Sequence, residues 1–487
     1  MVALLVGALP GLAFAASAAP DMPRVMPRPK VERYGASWAP LTEASQTLLV
    51  GMPNAEGECP TAVREGLALL SRRLKALGAG AAGAEQAEAG DPCHVVVELC
   101  SEERLSEVLH TKGAEETLKA KRLQQAYVLE CAPPQDGHPV VSIQSCNGLG
   151  AYYGLVSLCQ LLAQDEAGGV RVAEAAILDW PAIGLRLSKT SATHNRLATI
   201  ETYAAWLPLC KMNLMGLQFH GEESKDLGRF KGNVEAMCSQ AREVGVLETV
   251  VYFCPFRGEG YDFRQPTDRQ AYVDLIHWVF DQGAHGIEVD YNDWPGQDTQ
   301  IEDVINLACQ AVGQKRPGAY VLYCPPNRGS SQYRGEATPE MHRILSQVPP
   351  YVWPLWTGMA TLITQPLEPA QVEQWTENAG RRPFLWVNRV SLGVRKAFSR
   401  PVHEGAETHV FQGELLPRDL DRLFEGIHFN AGFSRDYNTL PVRFQSASVA
   451  YFATAADYVW NPHAWDAAES CQRAGRFVEI MQPLLEE

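Results

Sequence analysis

The feature that most constrains the fold is a regular alternation of short apolar segments and longer amphipathic segments, which begins near residue 184. The short segments have the length and composition of buried strands, and the longer ones carry apolar residues at helical spacing. Strands that alternate with helices in this way form a parallel sheet with helical crossovers. The predicted strands are 184–190, 214–220, 249–255, 286–292, 319–325, 351–357, 383–389 and 426–432.

Eight strand and helix units favour a closed (β/α)8 barrel of the TIM type. An open doubly wound sheet is the alternative, but such a sheet normally carries a Gly-rich phosphate loop after its first strand. No such loop follows residues 184–190. We therefore predict an α/β protein in which the barrel spans residues 179–470 and a C-terminal helix spans residues 471–487.

The residues ahead of the barrel predict a smaller α/β domain over residues 41–178, preceded by a Pro-rich extended segment at 20–40. Short apolar runs in this region have strand character, and the segments between them carry apolar residues at helical spacing. The predicted strands are 46–52, 94–100, 126–132 and 139–146, and the predicted helices are 63–77, 101–111 and 148–164.

The N-terminus predicts export. Residues 1–19 are apolar and rich in alanine, with A-x-A cleavage options that end at Ala16 or near Ala19, although no Lys or Arg precedes the apolar run. We interpret this segment as a signal peptide and expect a secreted or periplasmic protein. Elsewhere charges, prolines or glycines interrupt every apolar run before the roughly 20 residues needed to cross a bilayer, so we predict no membrane span.

Charge and cysteine content narrow the class of ligand. The formal net charge is −15, from 42 basic and 57 acidic residues, and no long block of like charge occurs. This balance argues against nucleic acid as a partner and favours a neutral ligand.

The 12 cysteines lack the spacing of a metal site or a small disulfide scaffold, and several, such as Cys254 and Cys324, lie in apolar runs typical of buried thiols. Because His and acidic residues show no H-E-x-x-H or comparable spacing, we predict no metal and no cofactor.

Polar and aromatic side chains are concentrated at the predicted carboxyl ends of the strands, where the active site of a (β/α)8 barrel lies. Aromatic rings stack on sugar faces, and amides and carboxylates bind hydroxyl groups, so this composition predicts a carbohydrate cleft. The residues at these ends are Ser188, Lys189, Thr190, His220, Glu222, Glu223, Asp290, Tyr291, Asn292, Asp293, Asn327, Arg328, Trp353, Trp356, Thr357, Trp386, Asn388, Arg389 and Asn430.

The fourth strand carries the densest cluster of candidate residues. Asp290 and Asn292 are predicted to point to the same side, and Asp293 lies at the turn where the chain leaves the strand. Glycoside hydrolysis needs a carboxylic acid that protonates the departing oxygen, and Asp293 is a candidate for that role. The alternative is that these short acidic side chains cap the turn and helix that follow.

Several segments resemble the β-N-acetylhexosaminidases of glycoside hydrolase family 84 and, more distantly, those of family 20. The similar segments occur in the order of the family and span roughly residues 140–465. They are IQSCNGLGAYYGLVSLCQLLAQ, AILDWPAIGLRL, KMNLMGLQFH, GIEVDYNDW, PLWTG, LWVN and ADYVWNP.

The resemblance implies substrate-assisted hydrolysis, in which the 2-acetamido oxygen of the sugar attacks its own anomeric carbon. The family's first strand-four Asp, which orients the acetamide, is replaced here by Asn292, and its second, the general acid and base, corresponds to Asp293. An amide lacks the negative charge that stabilises the oxazolinium ion, and Asp290 is a candidate to supply it. The implied substrate-binding residues are Trp356 and Asn388, with Asn438 as a weaker match, His220 in place of the family's Lys, and Arg328 in place of its Tyr.

The expected function is therefore that of a retaining β-N-acetylhexosaminidase-like glycosidase acting on 2-acetamido sugar glycans or glycoproteins. Two alternatives remain open: a non-catalytic glycan-binding barrel, and a glycosidase of different sugar specificity that uses Asp290 and Asp293 as a carboxylate pair. Trp353 and Trp356 are candidates to stack on a sugar, and the alternative is that they only pack in the barrel core. For His220 the alternative to a role in the site is a structural imidazole.

Overall fold

The computed structural model consists of a mixed sheet with helices, followed by a closed parallel barrel, which confirms the predicted α/β fold class. The predicted signal peptide at residues 1–19 lies outside the described residues. The structure describes residues 23–41, 46–51, 59–78, 93–114, 118–133, 140–191, 197–218, 227–255, 261–291, 300–325, 337–360, 363, 365–387, 411, 413–429 and 452–485.

The first unit is a seven-stranded sheet in the order β1-β7-β4-β5-β3-β2, with β6 paired to β7. The pairs β2–β3 and β3–β5 are parallel, whereas β1, β4 and β6 each pair with β7 in the antiparallel sense. The strands are β1 Val31–Leu41, β2 Gln46–Gly51, β3 Cys93–Leu99, β4 Tyr127–Cys131, β5 Val141–Ser145, β6 Leu162–Gln164 and β7 Val170–Asp179. The helices are α1 Thr61–Ala76, α2 Glu102–Thr111, α3 Ala120–Leu123 and α4 Gly148–Leu161.

Helix α4 is buried on nearly all sides, between the sheet and its neighbouring helices. The side chain of Asn147 caps its first turn by accepting a hydrogen bond from the backbone N–H of Leu149 at 2.9 Å. Two glycines let the helix lie directly on the strands, because a Cβ at Gly150 would stand 2.4 Å from the Ala126 carbonyl oxygen and one at Gly154 would stand 2.7 Å from Ile143. A larger residue at either position would force the helix away from the sheet.

The second unit is the closed barrel, in the order β10-β11-β12-β13-β14-β15-β8-β9, and every neighbouring pair is parallel. The strands are β8 Arg186–Ser191, β9 Leu214–Gln218, β10 Glu248–Phe253, β11 Gly286–Asp290, β12 Tyr320–Cys324, β13 Val352–Trp356, β14 Phe384–Val387 and β15 Gly426–Phe429. The helices are α5 Leu197–Leu209, α6 Leu227–Val244, α7 Pro266–Asp281, α8 Gln300–Lys315, α9 Pro339–Gln347, α10 Pro369–Ala379, α11 Leu420–Leu423, α12 452–460 and α13 Ala467–Met481, with 3-10 turns at Gly413–Leu415 and Gln482–Leu484.

Side chains of the barrel strands alternate between two apolar clusters. One cluster fills the barrel interior and includes Leu187, Leu214, Val250, Leu322 and Leu355. The residues between them along each strand pack outward against the helices, as the pleat of a strand requires. The interior is therefore a packed core, and its polar residues are found towards the carboxyl ends of the strands.

The buried thiols agree with the sequence analysis. Cys254 and Cys324 are both buried and both carry free thiols. Among the described helices, none combines the length and the apolar character needed to cross a membrane.

A buried charge cluster joins the sheet to the barrel. The Asp179 carboxylate, at the end of β7, accepts hydrogen bonds from Lys211 Nζ at 2.8 Å, Tyr127 Oη at 2.7 Å and Trp460 Nε1 at 2.6 Å. Tyr127 belongs to the sheet, Lys211 precedes β9 of the barrel, and Trp460 ends α12. Asp179 and Lys211 are both fully buried, so each charge depends on the other for compensation.

We predict that Asp179→Ala lowers the free energy of unfolding by about 3–5 kcal/mol, because it leaves the Lys211 ammonium buried without its counter-ion. Equilibrium urea unfolding followed by circular dichroism measures this change. Glu107→Ala is the matched control, since it removes an exposed carboxylate that pairs with Arg104 at 3.0 Å and should cost less than about 1 kcal/mol. Equal losses in the two variants would contradict the role of Asp179.

Candidate active site at the carboxyl rim of the barrel

The eight parallel strands bring their carboxyl ends to a single rim, and Asp290 ends β11 at that rim. The Asp290 side chain lies in the barrel interior. Its carboxyl is hydrogen-bonded to Tyr252 of β10 and Cys324 of β12, the two flanking strands, and raises the pKa of both. Other predicted site residues lie outside the described residues, so their placement stays a prediction: His220, Asn292, Asp293, Arg328, Asn388 and Asn438.

Below Asp290, an ion pair crosses the barrel interior. Lys189 of β8 donates from Nζ to Glu288 Oε1 of β11 at 3.0 Å, and both side chains are only 1% exposed. Strands β8 and β11 are separated by β9 and β10, so the pair spans the barrel instead of joining neighbouring strands. Gly216 of β9 lies beside Lys189, and a Cβ there would stand 3.3 Å from the Lys189 Cβ, closer than most side chains pack.

Aromatic rings enclose the Lys189 ammonium. Nζ lies 4.2 Å from the ring centroid of Tyr252 and 4.5 Å from that of Trp386. A desolvated ammonium over two ring faces gains electrostatic attraction from both, on the order of 2 kcal/mol in favourable cases. The rings and Glu288 together fix the position of a side chain that is flexible when exposed to solvent.

Burial makes the carboxyl of Glu288 easier to protonate than an exposed glutamate. Burial raises the pKa of the Glu288 carboxyl to about 7, the Lys189 ammonium acts against that rise, and the charge of Asp290 adds to it. In the same interior, burial and the neighbouring Lys189 charge hold the pKa of His428 well below its usual range, so this imidazole is neutral. The described part of the interior therefore places the Lys189 ammonium, the Glu288 carboxyl and the charge of Asp290 close enough to influence one another.

His428 of β15 completes the polar layer. Its ring stacks on Trp386 with centroids 5.3 Å apart, and it is fully buried. Neither ring nitrogen of His428 has a hydrogen-bond partner among the described residues. A neutral imidazole in this position packs like an aromatic ring, and Trp386 thus contacts both His428 and the Lys189 ammonium.

Trp356 points away from the barrel interior. Its neighbours Trp353 and Leu355 pack with the interior cluster, whereas the Trp356 ring is fully buried and stacks on Trp375 of α10 at 5.3 Å. This contact favours the packing role of Trp356 over a sugar platform, because a ring clamped between strand and helix offers no open face. Asn388, which we predicted to share a pocket with Trp356, lies outside the described residues. The shared pocket therefore stays a prediction, and the orientation of Trp356 does not favour it.

Sequence reasoning identified Asp290, Lys189 and Cys324 but missed three other residues of the barrel interior. Glu288 and Tyr252 lie inside apolar strand runs, and His428 lies in the run that forms β15. The signal that could have found them is the two-residue alternation, since Glu288 shares a strand face with Asp290. Among the described residues, no group of three or more His, Cys, Asp and Glu side chains has the arrangement of a metal site.

The fold is similar to solved structures from two glycoside hydrolase families. The structure of CpGH84B has 17% sequence identity and a TM-score of 0.64, and the match covers 92% of this chain and 73% of that chain. The Flavobacterium johnsoniae chitobiase FjGH20 has 14% identity and a TM-score of 0.63, with 95% of this chain and 73% of that chain covered. The GH20 exo-β-N-acetylglucosaminidase from Vibrio harveyi in complex with N-acetylglucosamine has 11% identity and a TM-score of 0.59, with coverage of 96% and 79%.

These matches confirm the resemblance to families 84 and 20 that the sequence motifs indicated. At this level of identity they establish a shared fold over both the sheet and the barrel. No family model matches the sequence, and the search of curated proteins gives no match. The assignment of chemistry therefore depends on the residues of the barrel rim.

The raised pKa of Glu288 predicts a pH-dependent stability. The unfolded carboxyl has a pKa near 4.5 and the folded one a pKa of about 7, so the folded state binds the proton more tightly. The free energy of unfolding should therefore fall as the pH rises from 4.5 to 7, and Glu288→Gln should remove that part of the slope. The charged groups that shift the pKa of Glu288 are Lys189 and Asp290, and the charge of Glu288 in turn raises the pKa of Tyr252 and Cys324.

Urea unfolding at a series of pH values measures this slope. Glu107→Gln is the control, because the Glu107 side chain is 70% exposed and its loss should leave the slope unchanged. An unchanged slope in Glu288→Gln would show that Glu288 does not titrate in this pH window.

Proposed function

We propose that this protein is an exported glycoside hydrolase with a retaining, substrate-assisted mechanism on β-linked 2-acetamido sugars. The observation that carries the proposal is the fold, which matches structures of families 84 and 20 over more than nine-tenths of the chain. The strand that carries Asp290 to the barrel rim runs in sequence directly into Asn292 and Asp293, where the resemblance implies the reacting groups.

In the proposed mechanism, Asp293 protonates the departing glycosidic oxygen and later removes a proton from the attacking water. The 2-acetamido oxygen of the substrate displaces the leaving group and forms an oxazolinium intermediate. Asn292 holds the acetamido group by hydrogen bonding, and the negative charge that a carboxylate would supply at that position is absent. Asp290, two residues earlier on the strand, is the proposed source of that charge.

The geometry of Asp290 bears on the carboxylate-pair alternative. A second carboxylate that acts as a nucleophile or activates water must reach the sugar. Asp290 is fully buried between Tyr252 and Cys324, so it is placed to act through its charge and not by direct contact with substrate. This arrangement favours the substrate-assisted proposal over the use of Asp290 and Asp293 as a pair.

The non-catalytic alternative is favoured by one feature, the amide of Asn292 at the position where family 84 carries a carboxylate. Loss of a charge that stabilises the transition state can abolish turnover while leaving sugar binding intact. The purified protein should therefore be assayed on aryl glycosides with and without a 2-acetamido group. Turnover restricted to 2-acetamido substrates supports the proposed mechanism, and sugar binding without any turnover supports the glycan-binding alternative.

We predict that Asp293→Asn lowers kcat/KM for a natural glycoside by about 10²–10⁴-fold and lowers it far less for an aryl glycoside with a leaving group of low pKa. Such a leaving group hardly needs protonation, so the general acid matters mainly for poor leaving groups. Steady-state kinetics on the two substrates measures the difference. Equal losses on both substrates would remove Asp293 from the acid role.

We also predict that Asn292→Asp raises kcat on 2-acetamido substrates, because a carboxylate stabilises the developing positive charge of the oxazolinium better than an amide. The matched control is activity on the same aryl glycoside without the acetamido group, which should not increase. A gain on both substrates, or on neither, would argue against acetamido participation.

A further inference from the structure

Two half-buried cysteines, Cys100 and Cys146, lie side by side at the carboxyl ends of neighbouring parallel strands of the first sheet. Strands β3 and β5 pair in register as far as Leu99 and Ser145. Cys100 and Cys146 are the next residues along the two chains. The ladder continues beyond this last pair, because the backbone N–H of Cys100 donates to the Ser145 carbonyl oxygen at 2.8 Å.

Both thiols project from the same face of the sheet. The preceding register pair on that face, Glu98 and Gln144, is joined by a hydrogen bond from Gln144 Nε2 to Glu98 Oε2 at 2.7 Å. Because side chains alternate along a strand, the residues two positions further on project to the same side. Cys100 and Cys146 accordingly pack against one small apolar cluster, which includes Leu105 of α2.

The spacing of the strands suits a disulfide bond. Neighbouring strands lie about 4.8 Å apart, and a disulfide joins Cα atoms that are about 4.4–6.8 Å apart. The Cys100 Sγ lies 3.5 Å from the Ser145 carbonyl oxygen, which belongs to the peptide bond that leads into Cys146. The Cys146 Sγ lies 3.4 Å from the Leu123 carbonyl oxygen. A thiol is a weak donor, so both side chains can leave these contacts at little cost.

We propose that Cys100 and Cys146 are a modification site, at which oxidation forms a disulfide bond between β3 and β5. Both carry free thiols in the structure. Oxidation breaks the two S–H bonds, forms one S–S bond and passes two electrons and two protons to a disulfide oxidant, which is reduced to two thiols. The bond ties together the starts of α2 and α4, because each cysteine directly precedes the residue that caps one of these helices.

The surroundings of the two thiols are those of a structural cross-link and not of a catalytic dithiol. Burial raises the pKa of Cys100 to about 11 and that of Cys146 to about 12. The charge of Glu98 adds to the first rise and that of Glu102 to the second, whereas Arg104 acts against the rise at Cys100. Thiols with such pKa values are protonated at neutral pH and react slowly. Disulfide formation at this pair is independent of glycosidase activity, and the export proposed for this protein places the pair where disulfides persist.

The first experiment maps the bond in the full chain. Reduced protein is incubated with oxidised glutathione under native, mildly alkaline conditions, the remaining thiols are alkylated, and the peptides are identified by mass spectrometry. Proteolytic cleavage after Glu98 and Glu102 separates Cys100 from Cys93, so the cross-linked peptide identifies its cysteine directly. We expect a peptide in which Cys100 is joined to Cys146.

Three variants assign the bond. The cross-linked peptide should be lost in Cys100→Ala and in Cys146→Ala. It should be retained in Cys471→Ala, the matched control, which removes another half-buried thiol from α13. The map of the unmodified sequence decides the pairing by itself if an alanine variant does not fold. A bond that forms only in urea, a different pairing of either cysteine, or a glutathione adduct without a cross-link would overturn the proposed site.

The second experiment measures what the bond does, by thermal unfolding of the oxidised and reduced protein followed by circular dichroism. Because the bond closes a loop of about 46 residues in the unfolded chain, oxidation should raise the unfolding midpoint by on the order of 5 °C. The difference should vanish in Cys100→Ala and persist in Cys471→Ala. A cross-link that leaves the midpoint unchanged, or lowers it, would overturn its structural role.

Discussion

The buried contact between Asp179 and Lys211 is the interaction on which the arrangement of the molecule depends. It joins the last strand of the sheet to the barrel, and Trp460 and Tyr127 complete the hydrogen bonding of the Asp179 carboxylate. Because a charge in this interior is stable only when it is paired, the sheet and the barrel hold each other in one relative position. The N-terminal segment joins the same cluster, since the backbone N–H of Lys30 donates to Asp179.

The barrel interior repeats this principle with a different consequence. Lys189 and Glu288 form a second fully buried pair, but Asp290 adds another carboxyl on the same strand face. In the cluster between sheet and barrel, charge pairing fixes geometry. In the barrel, burial and the charge of Asp290 raise the pKa of Glu288 to about 7, although Lys189 acts against that rise.

The fold of this protein is shared with proteins of very different sequence. The match to structures of families 84 and 20 covers the sheet and the barrel at 10–17% identity. Packing requires only apolar residues of suitable size at alternate positions, so it tolerates extensive substitution. A carboxylate that stabilises a developing charge has no such substitute, so under the proposed mechanism Asn292 requires compensation by another negative charge.

The sequence by itself determined the eight strand and helix units, the position of Asp290 at a strand end and the family resemblance, because apolar periodicity and local motifs are properties of neighbouring residues. Only the tertiary structure decided that β1 pairs with β7, that Trp356 packs on Trp375, and that Lys189 crosses the barrel to Glu288. These contacts join residues far apart in the chain. Closure of the barrel determines which side chains face each other across its interior. No local sequence pattern encodes the distance between residues on opposite strands.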